Sequence, residues 1–207
     1  MIDFKHLINK YPAVFALYFD NKWSTGTVTY RTVSDGERVD VRTVLDSSCE
    51  EIVVEAERIR EACEGDSDSI AVTCFLWCMS NLRYVSDPSK YGKMERWQEA
   101  PETFALLTGD CEDGAILMMK LMEAAGVPAF RRKLCCGWTG SSGHAYVIYL
   151  ASDLRWYVLD WCFWPKECLR AFKEVPQSEM ERYGSLWFTF NEEKSWPNQV
   201  DTVMRWR

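Results

Sequence analysis

The apolar positions of the chain change period along its length, and those changes predict its architecture. Over 3–10 and over 49–64 they recur every three to four residues, with Ile52, Val53, Ala56, Ile59 and Ala62 aligned as on an amphipathic helix. An aromatic stretch at 11–19 follows the first of these. Two β-branched runs, 27–33 and 39–44, flank Ser34-Asp35-Gly36 and predict a hairpin. A helix over 69–82 carries Ile70, Ala71, Cys74, Phe75, Trp77, Cys78 and Met79, too apolar to leave much of it in water. Polar residues at 89–99 predict a loop, and Pro101 opens a short helix over 101–107.

The most legible element starts at Gly109. Asp110 is a good N-cap residue and Asp113, three positions on, completes a capping box. Ile116, Met119, Leu121, Met122 and Ala125 then recur at helical spacing until Gly126 and Pro128 stop the helix. Cys111 thus falls on the first helical position, where unpaired N–H groups and the positive end of the helix dipole favour a thiolate. Asp110, Glu112 and Asp113 oppose that charge, so position alone does not make Cys111 reactive.

Beyond 128 the period becomes two. Segments 129–136, 144–150 and 155–160 read as strands, with a glycine and serine loop at 139–143 and a turn at 151–154, and 186–190 adds a further strand. Helices first and a strand meander afterwards predict an α+β fold. Residues 1–65 are expected to form an extension packed on a core at 66–207.

Of the two histidines, His144 opens one strand, and Asp160 closes the next. Antiparallel pairing around 151–155 brings the two together, so that the carboxylate fixes the imidazole tautomer and the other ring nitrogen can take a thiol proton. Cys111, His144 and Asp160 then make a nucleophile, a base and an orienting group.

Composition narrows the alternatives. The net charge of −7 excludes nucleic acid as the main partner, although Arg131-Arg132-Lys133 is a local basic cluster able to line a groove with Trp138, Trp161 and Trp164. No run approaches the roughly 18 apolar residues of a membrane span, and the first residues show no signal-peptide pattern. Nine scattered cysteines predict free thiols in a reducing, cytoplasmic setting. Cys74 and Cys78 share an apolar helix face, and Cys135-Cys136 with Cys162 and Cys168 are poorly spaced for tetrahedral zinc.

Asn81-Leu82-Arg83-Tyr84, 97–103, Thr108-Gly109-Asp110-Cys111-Glu112-Asp113, 121–128, 143–147 and 156–160 together resemble the transglutaminase-like superfamily of papain-type cysteine enzymes, in particular its bacterial cysteine-peptidase branch. The resemblance covers roughly residues 70–165. It implies a transglutaminase-like core with the nucleophile at a helix start against an antiparallel sheet. The implied activity is hydrolysis of amide bonds in a protein or peptide substrate by acyl transfer through Cys111, His144 and Asp160. Acyl transfer to an amine, or a binding protein that keeps the fold without turnover, are the alternatives. Gln98 is an expected side-chain donor to the oxyanion beside the Cys111 N–H. No cofactor is implied. Calcium is not expected, because Thr108 stands three positions before the cysteine where calcium-dependent members carry an acid, and Asp110 and Asp113 serve as caps.

Overall fold

The computed structural model describes residues 3–22, 24–31, 37–92, 95–138, 142–163 and 185–197. The predicted turn at 34–36, Trp164 and Cys168 lie outside them. The fold is mixed α and β. Helices α1 (Phe4–Lys10) and α2 (Pro12–Asp20) come first, α1 capped by the Asp3 carboxylate, which accepts the His6 N–H at 3.0 Å. The hairpin is present but short, β1 (Thr29–Arg31) pairing with β2 (Arg38–Asp40). Asp40 ends it by accepting the Arg42 N–H at 3.0 Å, which starts a 3₁₀ turn over Val41–Leu45 and buries Val41, Val44 and Leu45.

Helices α3 (Glu50–Ala62) and α4 (Ser67–Asn81) follow, then β3 (Arg83–Tyr84). The predicted loop after 88 begins inside a helical turn, α5 (Asp87–Tyr91), whose first turn takes Pro88. Gly92, at φ 64°, ends it in the left-handed region. Helix α6 (Ala100–Leu106) leads to β4 (Thr108–Gly109), which pairs in parallel with β3 and delivers the chain to α7 (Cys111–Ala124). A 3₁₀ turn (Ala129–Arg131) then feeds β5 (Arg132–Trp138), β6 (Gly143–Leu150) and β7 (Trp156–Leu159); β8 (Ser185–Phe190) and β9 (Ser195–Pro197) complete a five-stranded antiparallel sheet in the order β7-β6-β5-β8-β9.

Helix α7 is buried on every side from Glu112 to Met122, more than its apolar stripe predicts. It runs between the sheet and α3, α4 and α6, and its apolar residues share one core with Ile52, Ala56 and Ile59 of α3 and Phe75 and Cys78 of α4. Lys120 is tolerated there because its ammonium donates to the Leu45 carbonyl at 2.8 Å and pairs with Glu123 at 2.6 Å. Cys136 faces this core while Cys135 joins Tyr146, Ile148 and Val158 on the opposite face of the sheet, so the adjacent thiols point apart. No helix among the described residues is long and apolar enough to cross a membrane.

The basic cluster lines no groove. Arg131, Arg132 and Lys133 are all buried, each facing an acid: Asp68 at 2.5 Å, Glu192 at 2.5 Å and Asp20 at 3.7 Å. The Lys133 ammonium also lies over the Trp196 ring, 3.1 Å from its centroid. Burial pulls its pKa down from 10.5 to about 7 despite Asp20. Between those values the unfolded chain holds a proton at this lysine that the folded one does not, so stability should climb with pH across that window. Urea denaturation below and above it measures the climb. The same comparison in Lys133→Met, where Lys194 still pairs with Asp20 at 2.7 Å, should lose it.

Candidate active site

The capping box at the start of α7 forms as the sequence predicts, the Asp113 carboxylate accepting the Asp110 N–H at 3.1 Å. It leaves the partly buried Cys111 on the first helical position. His144 lies near the start of β6 and is 5% exposed; Asp160, fully buried, follows the last residue of β7. The ladder ends at Val147↔Leu159, so Asp160 falls one step beyond it, on the level of Tyr146 rather than His144. Residues 144 and 146 share a face, and the side chains meet diagonally. His144 Nε2 lies 2.7 Å from Asp160 Oδ2. Asp160 Oδ1 in turn accepts the N–H groups of Cys162 at 3.3 Å and Phe163 at 3.2 Å, which locks the carboxylate in place. An ionised carboxylate only accepts, so Nε2 carries the ring proton and Nδ1 is left as an acceptor.

Cys111 is tied to the neighbours of this pair. The Ala145 N–H, next to His144, acts to lower the Cys111 thiol's pKa. The Trp161 indole, next to Asp160, donates to the Cys111 carbonyl at 3.2 Å. Nucleophile candidate, imidazole and carboxylate therefore sit at one end of the sheet. The thiol itself donates to Glu112 Oε2 at 3.0 Å. Burial first, then the Glu112 carboxylate, hold the thiol well above its ordinary pKa, with the Ala145 N–H acting the other way.

A family model described as the transglutaminase-like superfamily matches residues 56–161, 106 of the 207 in the chain. That stretch runs from α3 through Cys111 and His144 to Trp161.

The chain belongs to the transglutaminase-like superfamily.

Solved structures of LapG from Legionella pneumophila share the fold. One superposes with a TM-score of 0.55 at 16% identity, covering 77% of this chain and 87% of that one. A calcium-bound form gives 0.51 at 20% identity, covering 74% and 90%. No curated protein sequence matches.

In this member of the superfamily Gln98 does not face the thiol. It is buried, and its amide nitrogen donates to Asp113 and, at 3.3 Å, to the Thr108 carbonyl, while its oxygen accepts from Lys90 at 3.0 Å. Its backbone N–H reaches Asp113 as well, at 2.7 Å. Gln98 braces the helix cap, and the expectation of an oxyanion donor is corrected on that ground. Trp161 holds its place because Gly114 leaves room: a Cβ there would overlap the indole. Gly114→Ala should lower stability by about 1–3 kcal/mol through overpacking and push the indole off the Cys111 carbonyl. Denaturant melts and Trp fluorescence check this.

In sequence, Asp110 reads as a cap and Glu112 as an adverse neighbour of the thiol. The structure adds Asp87, which no sequence pattern connected to them. Oxygens of Asp87, Asp110 and Glu112, all buried, lie within 4.8 Å of one another. The Asp87 N–H donates to Asp110 Oδ2 at 3.2 Å, yet Asp87 Oδ1, Asp110 Oδ1 and Glu112 Oε1 have no hydrogen-bond partner. Burial and the Asp110 charge push Asp87 up to about 6; burial first, then its acidic neighbours, push Glu95 up to about 7 and Glu112 well above its ordinary value. Unpartnered buried carboxylates are costly. Two oxygens bonded to one calcium lie at most about 5 Å apart, and calcium takes only oxygen ligands, so spacing and donor type both fit that ion.

Proposed function

We propose that the chain is a cysteine-dependent hydrolase of amide bonds in protein or peptide substrates, with Cys111 as nucleophile, His144 as base and then acid, and Asp160 as orienting group. The observation that carries this reading is the bond from the Trp161 indole, next to Asp160, to the Cys111 carbonyl, beside the 2.7 Å pairing of His144 with Asp160. His144 Nδ1 takes the thiol proton as the sulfur attacks the substrate carbonyl. The oxyanion that forms is met by the Cys111 N–H at the helix start. When the carbon–nitrogen bond breaks, the imidazolium gives its proton to the departing amine, leaving a thioester on Cys111. Water, deprotonated by His144, then releases the acid and restores the thiol. Membership of the superfamily supports acyl-transfer chemistry.

The reading includes a calcium ion held by Asp87, Asp110 and Glu112, in place of the expectation of none. The similarity to a calcium-bound LapG and the three unpartnered oxygens support it. When bound, the ion supplies positive charge beside the nucleophile and engages Glu112, the carboxylate that now accepts the thiol proton. The test is cleavage of a peptide library by the chelator-treated protein with and without added calcium. Turnover lost in Cys111→Ser supports the reading; turnover that survives that change overturns it.

A further inference from the structure

Three exposed aromatic residues surround the candidate triad, and no step of the proposed reaction uses them. Tyr84 is 51% exposed, Trp138 44% and Phe163 44%. Trp138 faces Gly143, the residue before His144, across the β5–β6 ladder. Tyr84 reaches the site through Trp161, whose ring lies 6.1 Å away and whose indole bonds the Cys111 carbonyl. Phe163 meets the triad directly. Its ring packs 4.3 Å from that of His144, and its backbone N–H donates to Asp160 Oδ1 at 3.2 Å. The residue is thus pinned against the base while nearly half of it faces water. Cys162, partly exposed, stands next to it, its sulfur weakly bonded to Asp160 Oδ1 at 3.5 Å.

The reaction decides which part of a substrate comes here. The imidazolium hands its proton to the departing amine, so that nitrogen comes within about 3 Å of a His144 ring nitrogen. The side chain of the residue carrying the amine begins two bonds further on, and is delivered beside the ring that packs on His144. The acyl half stays bonded to Cys111, the residue that Trp161 and Tyr84 flank.

We propose that Phe163, with Cys162, binds an apolar side chain on the residue that supplies the departing amine, so that cleavage falls immediately before bulky apolar residues. This assignment rests on the reading of Cys111 as nucleophile and His144 as the acid that serves the leaving group. A Leu, Ile, Met or aromatic side chain laid on Phe163 takes apolar surface of both partners out of water, which Gly cannot do. The Cys162 thiol adds a soft, weakly polar neighbour. An acidic side chain would exchange water for a ring, a thiol and the nearby Asp160 carboxylate. Because water resolves the thioester, Phe163 meets a substrate side chain in the first half of the reaction alone.

The experiment digests a proteome-derived peptide library with calcium present and reads, by mass spectrometry, the residue that carries each newly freed amino group. Wild type should free Leu, Ile, Met, Phe and Tyr termini in excess, and Asp and Glu termini least. Phe163→Ala should cut cleavage before these apolar residues at least ~10-fold relative to cleavage before Gly, the scale of one apolar contact in a specificity pocket. A ring that merely shields the His144–Asp160 pair would lower all cleavages together, and an unchanged ratio overturns the proposal. Should Phe163→Ala fail to fold, Phe163→Gln, which fills the place without an apolar face, carries the same comparison. Lys and Arg termini in excess in wild type also overturn it. Cleavage that depends on Cys111 but shows no apolar preference sinks this assignment alone. Cleavage that survives Cys111→Ser, or no cleavage of any peptide, sinks the nucleophile reading and this assignment with it.

Discussion

His144→Ala is expected to slow alkylation of Cys111 at neutral pH by about two orders of magnitude, the scale of a lost general base. Burial and Glu112 keep the thiol protonated, so its proton has to be taken by a positioned group, which the proposed reaction assigns to His144. Asp160→Ala should act differently. It removes the partner of Nε2 but leaves the imidazole itself, so the rate should fall less. Stability should fall more, because the Cys162 and Phe163 N–H groups lose their acceptor at about 1–3 kcal/mol for each one left buried. Alkylation rates at fixed pH, together with melting curves of both variants, separate a chemical loss from a structural one. Equal rates in wild type and His144→Ala would rule out the imidazole as base.

Calcium should raise the melting temperature by several degrees. A ligand at a hundred times its dissociation constant stabilises the folded state by about 2.7 kcal/mol, which for a chain of this size is roughly 5–10 °C. Asp87→Asn should abolish the shift while keeping the shape of the side chain. Asp87 is the better probe because Asp110 also caps α7 and Glu112 also meets the thiol. Without calcium, Asp87→Asn should not destabilise the fold, since it removes one charge from a crowded set of buried acids. A melting temperature that ignores millimolar-scale calcium would mean that the three carboxylates are satisfied by protons alone.

The parts of the molecule that could be read in advance are those with local causes. The start of α7 is written in Asp110 and Asp113, its end in Gly126 and Pro128, and the strands around His144 and Asp160 in their β-branched and aromatic runs. The approach of His144 to Asp160 followed from hairpin geometry, although the ladder stops earlier and the contact is diagonal. What was missed depends on distant segments. Asp87 belongs to a turn 23 residues before Asp110 and meets it only because β3 and β4 pair. Gln98 looked like a loop residue facing the thiol, and is instead held by Asp113 and Lys90 beneath the helix cap. The run Arg131-Arg132-Lys133 advertised a basic surface because sequence shows charge but not the acids that come to bury it. The edge strand β9 is three residues long and contains Pro197, too short for a periodic signal.

The central claim is that Cys111 is the nucleophile, and limited alkylation followed by mass-spectrometric mapping of every thiol tests it most directly. Cys74, Cys78, Cys135 and Cys136 are buried, with thiols pushed up by burial, and should label only on unfolding. Cys49, Cys63 and Cys162 are, like Cys111, only partly buried, so they are the fair competitors. With calcium present, the account predicts that Cys111 is modified first and that an electrophilic peptide analogue attaches there alone. Preferential labelling of Cys49, Cys63 or Cys162, with Cys111 left untouched in the folded protein, would contradict it.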